Sequence, residues 1–177
     1  MKFTEFQPLA VVTKAPLGSQ ILDSVHMVLG MCTEIADELP DALDNDDIVN
    51  VGEELGDCQW YIAGYAHTWG FTLPDDVIVD AGAGPNLDPM KTIAQLQDLD
   101  KKELAYGKIA PLEERERLIN LLHREIENLA YGLDIDMEAQ RAKIIAKLKA
   151  RYGEKFNAHG AINRDLEIER KILEGGK

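Results

Sequence analysis

From Gln20 onward, apolar side chains recur at three- and four-residue steps: Ile21, Leu22, Val25, Val28, Leu29, Cys32, Ile35, Ala36 and Leu39. That period places them on one face of an α-helix. Pro40 should end or kink this helix near Leu39, because it lacks an N–H and its ring crowds the preceding turn. An acidic connection follows, with Asn45 and Asp46 as N-cap candidates. A second helix is predicted from about Asp47 to Thr68, with Ile48, Val51, Leu55, Cys58, Ile62 and Tyr65 along one face. Gly52, Gly56 and Gly64 lie inside it. Each costs roughly 1 kcal/mol against Ala, so close packing or approach of a ligand is expected there.

The same reading extends along the chain. Residues 1–18 carry Pro8, Pro16 and Gly18 as breakers and suit a short helix or an extended arm. DAGAGPNLDP (80–89) reads as a linker. Helices are then predicted over about Met90–Tyr106, stopped by Gly107; from Pro111 to about Tyr131, stopped by Gly132; and over about Met137–Tyr152, stopped by Gly153. A short amphipathic helix is expected in NRDLEIERKILEGG (163–176), and Val77–Val79 is the one strand-like run. The expected class is all-α, a four- to five-helix bundle forming a single domain over 1–177. Within it, 1–79 would form one helix pair, 80–89 a linker, 90–152 a second pair with a basic helix, and 153–177 a tail.

Charge narrows the function. The net charge is −13, a poor match to phosphate backbones, so no nucleic-acid partner is expected. Residues 1–100 hold 18 acids against three bases, whereas residues 101–177 hold 14 acids against 16 bases. One half is suited to cations, and the other could meet anions. No apolar run reaches the roughly 18 residues of a membrane span, and MKFTEFQPLA does not read as a signal peptide; a cytoplasmic protein is expected. Cys32 and Cys58 form no Cys-x-x-Cys pair and read as small core thiols. His26, His67, His123 and His159 share no metal-ligand spacing. No phosphate loop or dinucleotide fingerprint is present.

The acids fall at helical spacing. Glu34 shares a helix face with Asp37, three residues on, and with Glu38, four residues on; Glu54 and Asp57 repeat the three-residue step. If the two helices are antiparallel neighbours, four or five carboxylates face one groove. Like charges that close repel and raise each other's pKa. A hard cation such as Mg²⁺, which takes carboxylate and water oxygens, resolves the conflict. The plainer alternative is a solvated acidic face, weakened here because these acids alternate with apolar residues and glycines rather than with Lys and Arg.

GMCTEIADELPDAL (30–43) followed by NVGEELGDCQWYIA (50–63) resembles the all-α nucleotide pyrophosphohydrolase superfamily, which includes MazG proteins, dimeric dUTPases and bacteriophage-encoded MazG-like relatives. Its signature is Glu-x-x-Glu on one helix and Glu-x-x-Asp on the next. EELGDCQWYIA matches the second half; in the first, Asp37 stands where Glu is usual, so either Asp37 or Glu38 serves. KLKARYGEKF and AINRDLEIER also resemble the end of phage MazG-like proteins. The resemblance implies a hydrolase converting a (deoxy)nucleoside triphosphate to the monophosphate and pyrophosphate. Mg²⁺, or Mn²⁺ as a substitute, would be held by Glu34, Asp37 or Glu38, Glu54 and Asp57. Glu53 or Glu38 would act as the base that orients water. A homodimer or tetramer is expected, working in the cytoplasm (a host's, if phage-encoded) on a nucleotide pool. The alternative is a degenerate relative that binds nucleotides without hydrolysis.

DKKELAYGK (100–108) followed by LINLLHREIENLAYG (118–132) has the outline of a second copy, resembling the family's Lys-Lys-x-x-x-Tyr-Gly-Lys stretch. Aligned without gaps, Asn120 falls on Asn50, Arg124 on Glu54, Glu127 on Asp57 and Tyr131 on Tyr61, with Thr92 and Gln95 where Glu34 and Asp37 would be. This copy would have lost its metal acids and kept bases. Lys101, Lys102, Tyr106 and Lys108 become candidate phosphate contacts, together with Lys147 and Arg151 of the basic helix, and Asn50 could read a base or sugar. Ile144 departs from the Asn often found in relatives. Trp60 and Tyr61 suit core packing better than base stacking.

Overall fold

Every element among the described residues is helical, and no strand occurs there. The computed structural model describes residues 1–75, 77 and 88–175. Helix α1 (Phe3–Ala10) runs into a 3₁₀ turn, Val11–Thr13. Next come α2 (Gln20–Thr33), a π-helical turn (Glu34–Glu38), α3 (Leu39–Asp44) and α4 (Ile48–Trp69). The second half holds α5 (Pro89–Tyr106), α6 (Leu112–Gly132), α7 (Met137–Tyr152), α8 (Ala158–Ile162) and α9 (Leu166–Leu173). Ile78, Val79 and most of the expected linker (80–87) lie outside the described residues.

Short polar side chains set the helix starts. Ser19, Asp47, Asp88, Asp136, Asn157 and Asp165 each accept a hydrogen bond from a backbone N–H three residues on. Such a cap contributes about 1 kcal/mol over Ala. The cap of α4 is therefore Asp47, not Asn45 or Asp46: Asn45 donates to the Asp41 carbonyl, and Asp46 takes a left-handed turn at φ 54°. Gly107 ends α5 as expected, at φ 64°. α6 ends at Gly132 as expected, but this glycine does not make the turn. It is the last helical residue, and Asp134, two residues on, makes the left-handed reversal at φ 58°.

Side-chain pairings fix the register. Gln20 donates to the Thr68 carbonyl, a Cβ on Gly64 would strike Met27, and one on Gly30 would strike Tyr61, so α2 and α4 are antiparallel. α5 and α6 form a second antiparallel pair, tied by Arg115 to Asp100 and Glu103. α2 packs on α5 and α4 on α6, closing a four-helix bundle. α7 lies along α4 in parallel, with Gly52 against Gln140 and Gly56 against Ile144, and also meets α1 and α9. The glycines of α4 thus serve close helix packing; a Cβ on Gly56 would come within 2.5 Å of Ile144. Val51, Leu55, Cys58, Ile62 and Tyr65 are buried as their spacing predicts, while Ile48 is exposed. Both cysteines are free thiols. No helix among the described residues is long and apolar enough to cross a membrane.

Candidate functional site

The site is built where α2, α4 and α7 meet, and the π-helical turn shapes one side of it. Pro40 has no N–H, so the backbone behind it cannot keep a regular α ladder. The Leu39 N–H instead reaches back five residues to the Glu34 carbonyl, and Pro40 sits in the first turn of α3. The chain therefore stays helical through the turn and into α3, and the helix does not end near Leu39. Ile35 and Leu39 on this turn are buried in the core. Glu34 is half-buried against α4, while Asp37 and Glu38 are exposed. The turn does not bring either of them into the buried cluster with Glu34.

On α4, Glu53, Glu54 and Asp57 face this junction. Glu54 is buried and shares a hydrogen bond with Glu34. Burial holds the Glu34 carboxyl far above its usual range, reinforced by that bond and by the charge of Asp57. Burial also raises Glu54, with Asp57 and Glu53 adding to it and the bond to Glu34 opposing it. The charge balance comes from α7. The Lys147 ammonium, with a fully buried side chain, donates to Glu53 Oε1 at 2.9 Å and to Asp57 Oδ1 and Oδ2 at 2.8 and 2.6 Å. Burial alone would lower the Lys147 pKa; the charges of Asp57 and Glu53 outweigh it and leave the pKa raised.

All the acceptors in this cluster are carboxylate oxygens, the donor chemistry of a hard divalent cation. In kind, the residues fit Mg²⁺. In position, no three such groups among the described residues stand ready-arranged around one point. Asp57 and Glu53 are engaged by Lys147, and Glu34 and Glu54 by each other. A cation would have to take the place that Lys147 now fills.

The other predicted contacts are scattered. Asn50 is half-buried in the first turn of α4, where its N–H donates to the Asp47 cap. Lys101 and Lys102 both pair with Asp98, and Tyr106 and Lys108 are exposed. They lie at the far end of α2: Ser24 bonds Asp100, and Glu34 is ten residues further on, about 15 Å along a helix. Within one chain they do not reach the acids. Arg151 is held by Glu169, at 2.8 and 2.6 Å, but unlike the others it shares a cavity lining with Asp57. Ile144 is core, packed on Gly56. In the second helix pair Thr92 is buried, and Gln95, Arg124 and Tyr131 are exposed. Glu127, aligned with Asp57, is likewise met by a cation from α7: Arg141, at 2.5 Å.

Beside the acids lies a cavity of about 290 Å³, lined by Asp57, Trp60 and Tyr61 of α4, His26 of α2, Tyr152 of α7 and Phe156 beyond it. Trp60 is fixed by hydrogen bonds from Nε1 to the Ala10 carbonyl and Thr13 Oγ1. Of these residues, His26, Tyr152 and Phe156 gave no functional signal in the sequence. His26 had one available: His26, Gly30 and Glu34 follow at four-residue steps, so the imidazole and the carboxyl share a face and Tyr61 packs on the glycine between them.

Compared with models of protein families, with curated proteins and with solved structures, the chain matches none of them.

Proposed function

We propose that the chain is a Mg²⁺-dependent nucleotide pyrophosphohydrolase that converts a (deoxy)nucleoside triphosphate to the monophosphate and pyrophosphate. The observation that carries this reading is the placing of four acids side by side: Glu53 and Asp57 on the buried ammonium of Lys147, and Glu54 of the same helix on Glu34. Four acids with one fixed cation form a site short of positive charge. Mn²⁺ could replace Mg²⁺, since both are hard and take oxygen ligands.

When bound, the cation would neutralise charge on the polyphosphate and act as a Lewis acid. The chain's own groups would do the rest. Glu34, Glu54 and Asp57 would hold the cation, with Asp37 or Glu38 as the further expected ligand. Water attacks the α-phosphorus, its proton passes to Glu53 or Glu38, and the bond to the bridging oxygen breaks with pyrophosphate taking the electron pair. Lys147, once displaced from Asp57, is the nearest cation for the phosphates. Lys101, Lys102, Tyr106 and Lys108 would have to come from a second subunit. An apolar groove between α2 and α5, with Leu29, Leu104 and Lys101 in its lining, suits a homodimer or tetramer contact on that side. The setting would be a cytoplasm, a host's if the gene belongs to a phage.

A second reading has its own support. Lys147 occupies the cation position, and Asp37 and Glu38 point to solvent. A degenerate relative that binds nucleotides without turnover would look like this. Pyrophosphate release, measured across the dNTPs and NTPs with Mg²⁺ and with Mn²⁺, separates the two: metal-dependent release is the expected result, and nucleotide binding without release overturns the hydrolase reading.

A further inference from the structure

The cavity beside Asp57 has two aromatic walls built from distant parts of the chain. One wall is α4: Trp60 and Tyr61 stand edge-to-face with centroids 4.9 Å apart, and His26 meets Tyr61 at 6.1 Å. The other is the segment leaving α7, where Tyr152 and Phe156 lie 5.5 Å apart. This second wall is fastened from several sides. The Phe156 N–H donates to the Val12 carbonyl, and Asn157 Nδ2 to the Tyr152 carbonyl. α8 approaches so closely that a Cβ on Gly160 would come within 2.4 Å of the Arg151 carbonyl oxygen. Glu169 of α9 clamps Arg151 and Arg164 together.

Of the polar groups in its lining, which also include Thr13 and Arg151, two give the cavity direction. Asp57 belongs both to its lining and to the acidic cluster, so the cavity is continuous with the candidate metal site. His26 Nδ1 is buried with no hydrogen-bond partner among the described residues. A buried polar atom left unmet costs on the order of 1–3 kcal/mol; a turn of the ring would bring Nδ1 to the edge group of a ligand in the cavity that His26 lines. The volume lies at the lower limit of small-molecule sites, roughly 300–1,000 Å³, and so suits one planar ring system rather than a whole nucleotide.

We infer that this cavity is a nucleobase site, in which the base lies between the Trp60–Tyr61 wall and the Tyr152–Phe156 wall, its edge on His26 and its sugar-phosphate directed past Asp57. The C-terminal segment is then part of the substrate site and sets which bases fit. The inference rests on the nucleotide chemistry proposed for the neighbouring acids. Stacking on aromatic side chains is worth about 1–3 kcal/mol per base and is tolerant of base identity, so selection would fall to His26 and to the width left by Phe156 and Ala161.

Uncharged nucleosides test the cavity apart from the acids and the metal. The full chain in EDTA is titrated with the 2′-deoxynucleosides of adenine, guanine, cytosine, thymine and uracil while tryptophan fluorescence is followed. Trp60 reports from the wall, and Trp69 is a constant background, bonded to Ser24 under Arg115. Saturable quenching by at least one nucleoside is expected. Ala161→Phe, at an exposed position on the rim, should weaken it at least about tenfold by filling the cavity, and His26→Leu by about tenfold. Should Ala161→Phe fail to fold, His26→Leu decides. Absence of quenching by every nucleoside, or unchanged affinity in the folded variants, overturns the inference. Quenching without pyrophosphate release would sink the hydrolase and leave the base site; turnover indifferent to Ala161→Phe would do the reverse.

Discussion

Both carboxylate oxygens of Asp57 accept from the Lys147 ammonium, at 2.8 and 2.6 Å, and that same ammonium also binds Glu53. α7 thus supplies an internal counter-cation to acids presented by α4. Removing it leaves those acids uncompensated. Lys147→Met is expected to lose about 3–5 kcal/mol in metal-free buffer, the usual cost of stranding a buried partner. Mg²⁺ should then raise its melting temperature more than that of the parent. Thermal denaturation with and without Mg²⁺ measures this; an equal Mg²⁺ shift in both proteins would refute the role of Lys147 as a stand-in cation.

Glu54→Gln and Asp57→Asn should separate stability from chemistry. Glu54 is buried against Glu34 and hydrogen-bonded to it, and Gln keeps the shape and a group able to make that bond, so folding should change little. Asp57→Asn strands Lys147 and should cost stability. Both should lower pyrophosphate release by at least about 100-fold. Near-parental release in either variant rules out the proposed ligand set.

His123 gives a pH dependence. It is buried, its ring centroid 4.3 Å from that of Phe3; Nε2 lies 3.3 Å from the Pro74 carbonyl, and Nδ1 has no partner among the described residues. Burial, helped by Arg141, holds its pKa down at about 4 against an ordinary 6.5. As pH falls the unfolded chain takes up this proton first, so stability is lost between about 6.5 and 4, in total on the order of 3 kcal/mol. His123→Phe should remove that loss. The difference between the two proteins in urea denaturation at pH 7 and pH 5 isolates it from Glu34 and Glu54, whose raised pKa values act in the opposite direction. Parallel pH profiles would contradict the assignment.

Gly30 lets Tyr61 pack directly on the α2 backbone; an added Cβ would lie 2.1 Å from the ring. The ring cannot retreat easily, being held by Trp60 and His26. Gly30→Ala should therefore destabilise by about 1–3 kcal/mol, despite a helix-propensity gain near 1 kcal/mol. Tyr61→Leu in the same chain should recover most of the loss, and a double-mutant cycle by urea denaturation would read the coupling.

Local patterns in the sequence were enough for much of the fold. The three- and four-residue apolar steps identify α2, α4, α5, α6 and α7, because burying one face of a helix requires that period. Gly107 and Gly153 end their helices as expected, since backbone conformations with positive φ favour glycine. Glu54, Asp57 and Glu34 are legible as a group because their spacing places them on facing helices. What spacing could not determine was decided by packing. A π-helical turn precedes Pro40, and on it Glu34 is half-buried against α4 while Asp37 and Glu38 are exposed. Lys147 and Arg151 resembled free phosphate contacts, but each is held by acids from another element, Lys147 by α4 and Arg151 by α9. The cavity joins residues 26, 60, 61, 152 and 156, a juxtaposition that exists only after α7 has docked on α4 and the chain beyond it has folded back. Periodicity is a property of neighbours along the chain; ion pairing and cavities depend on which faces meet, and that is set by tertiary packing.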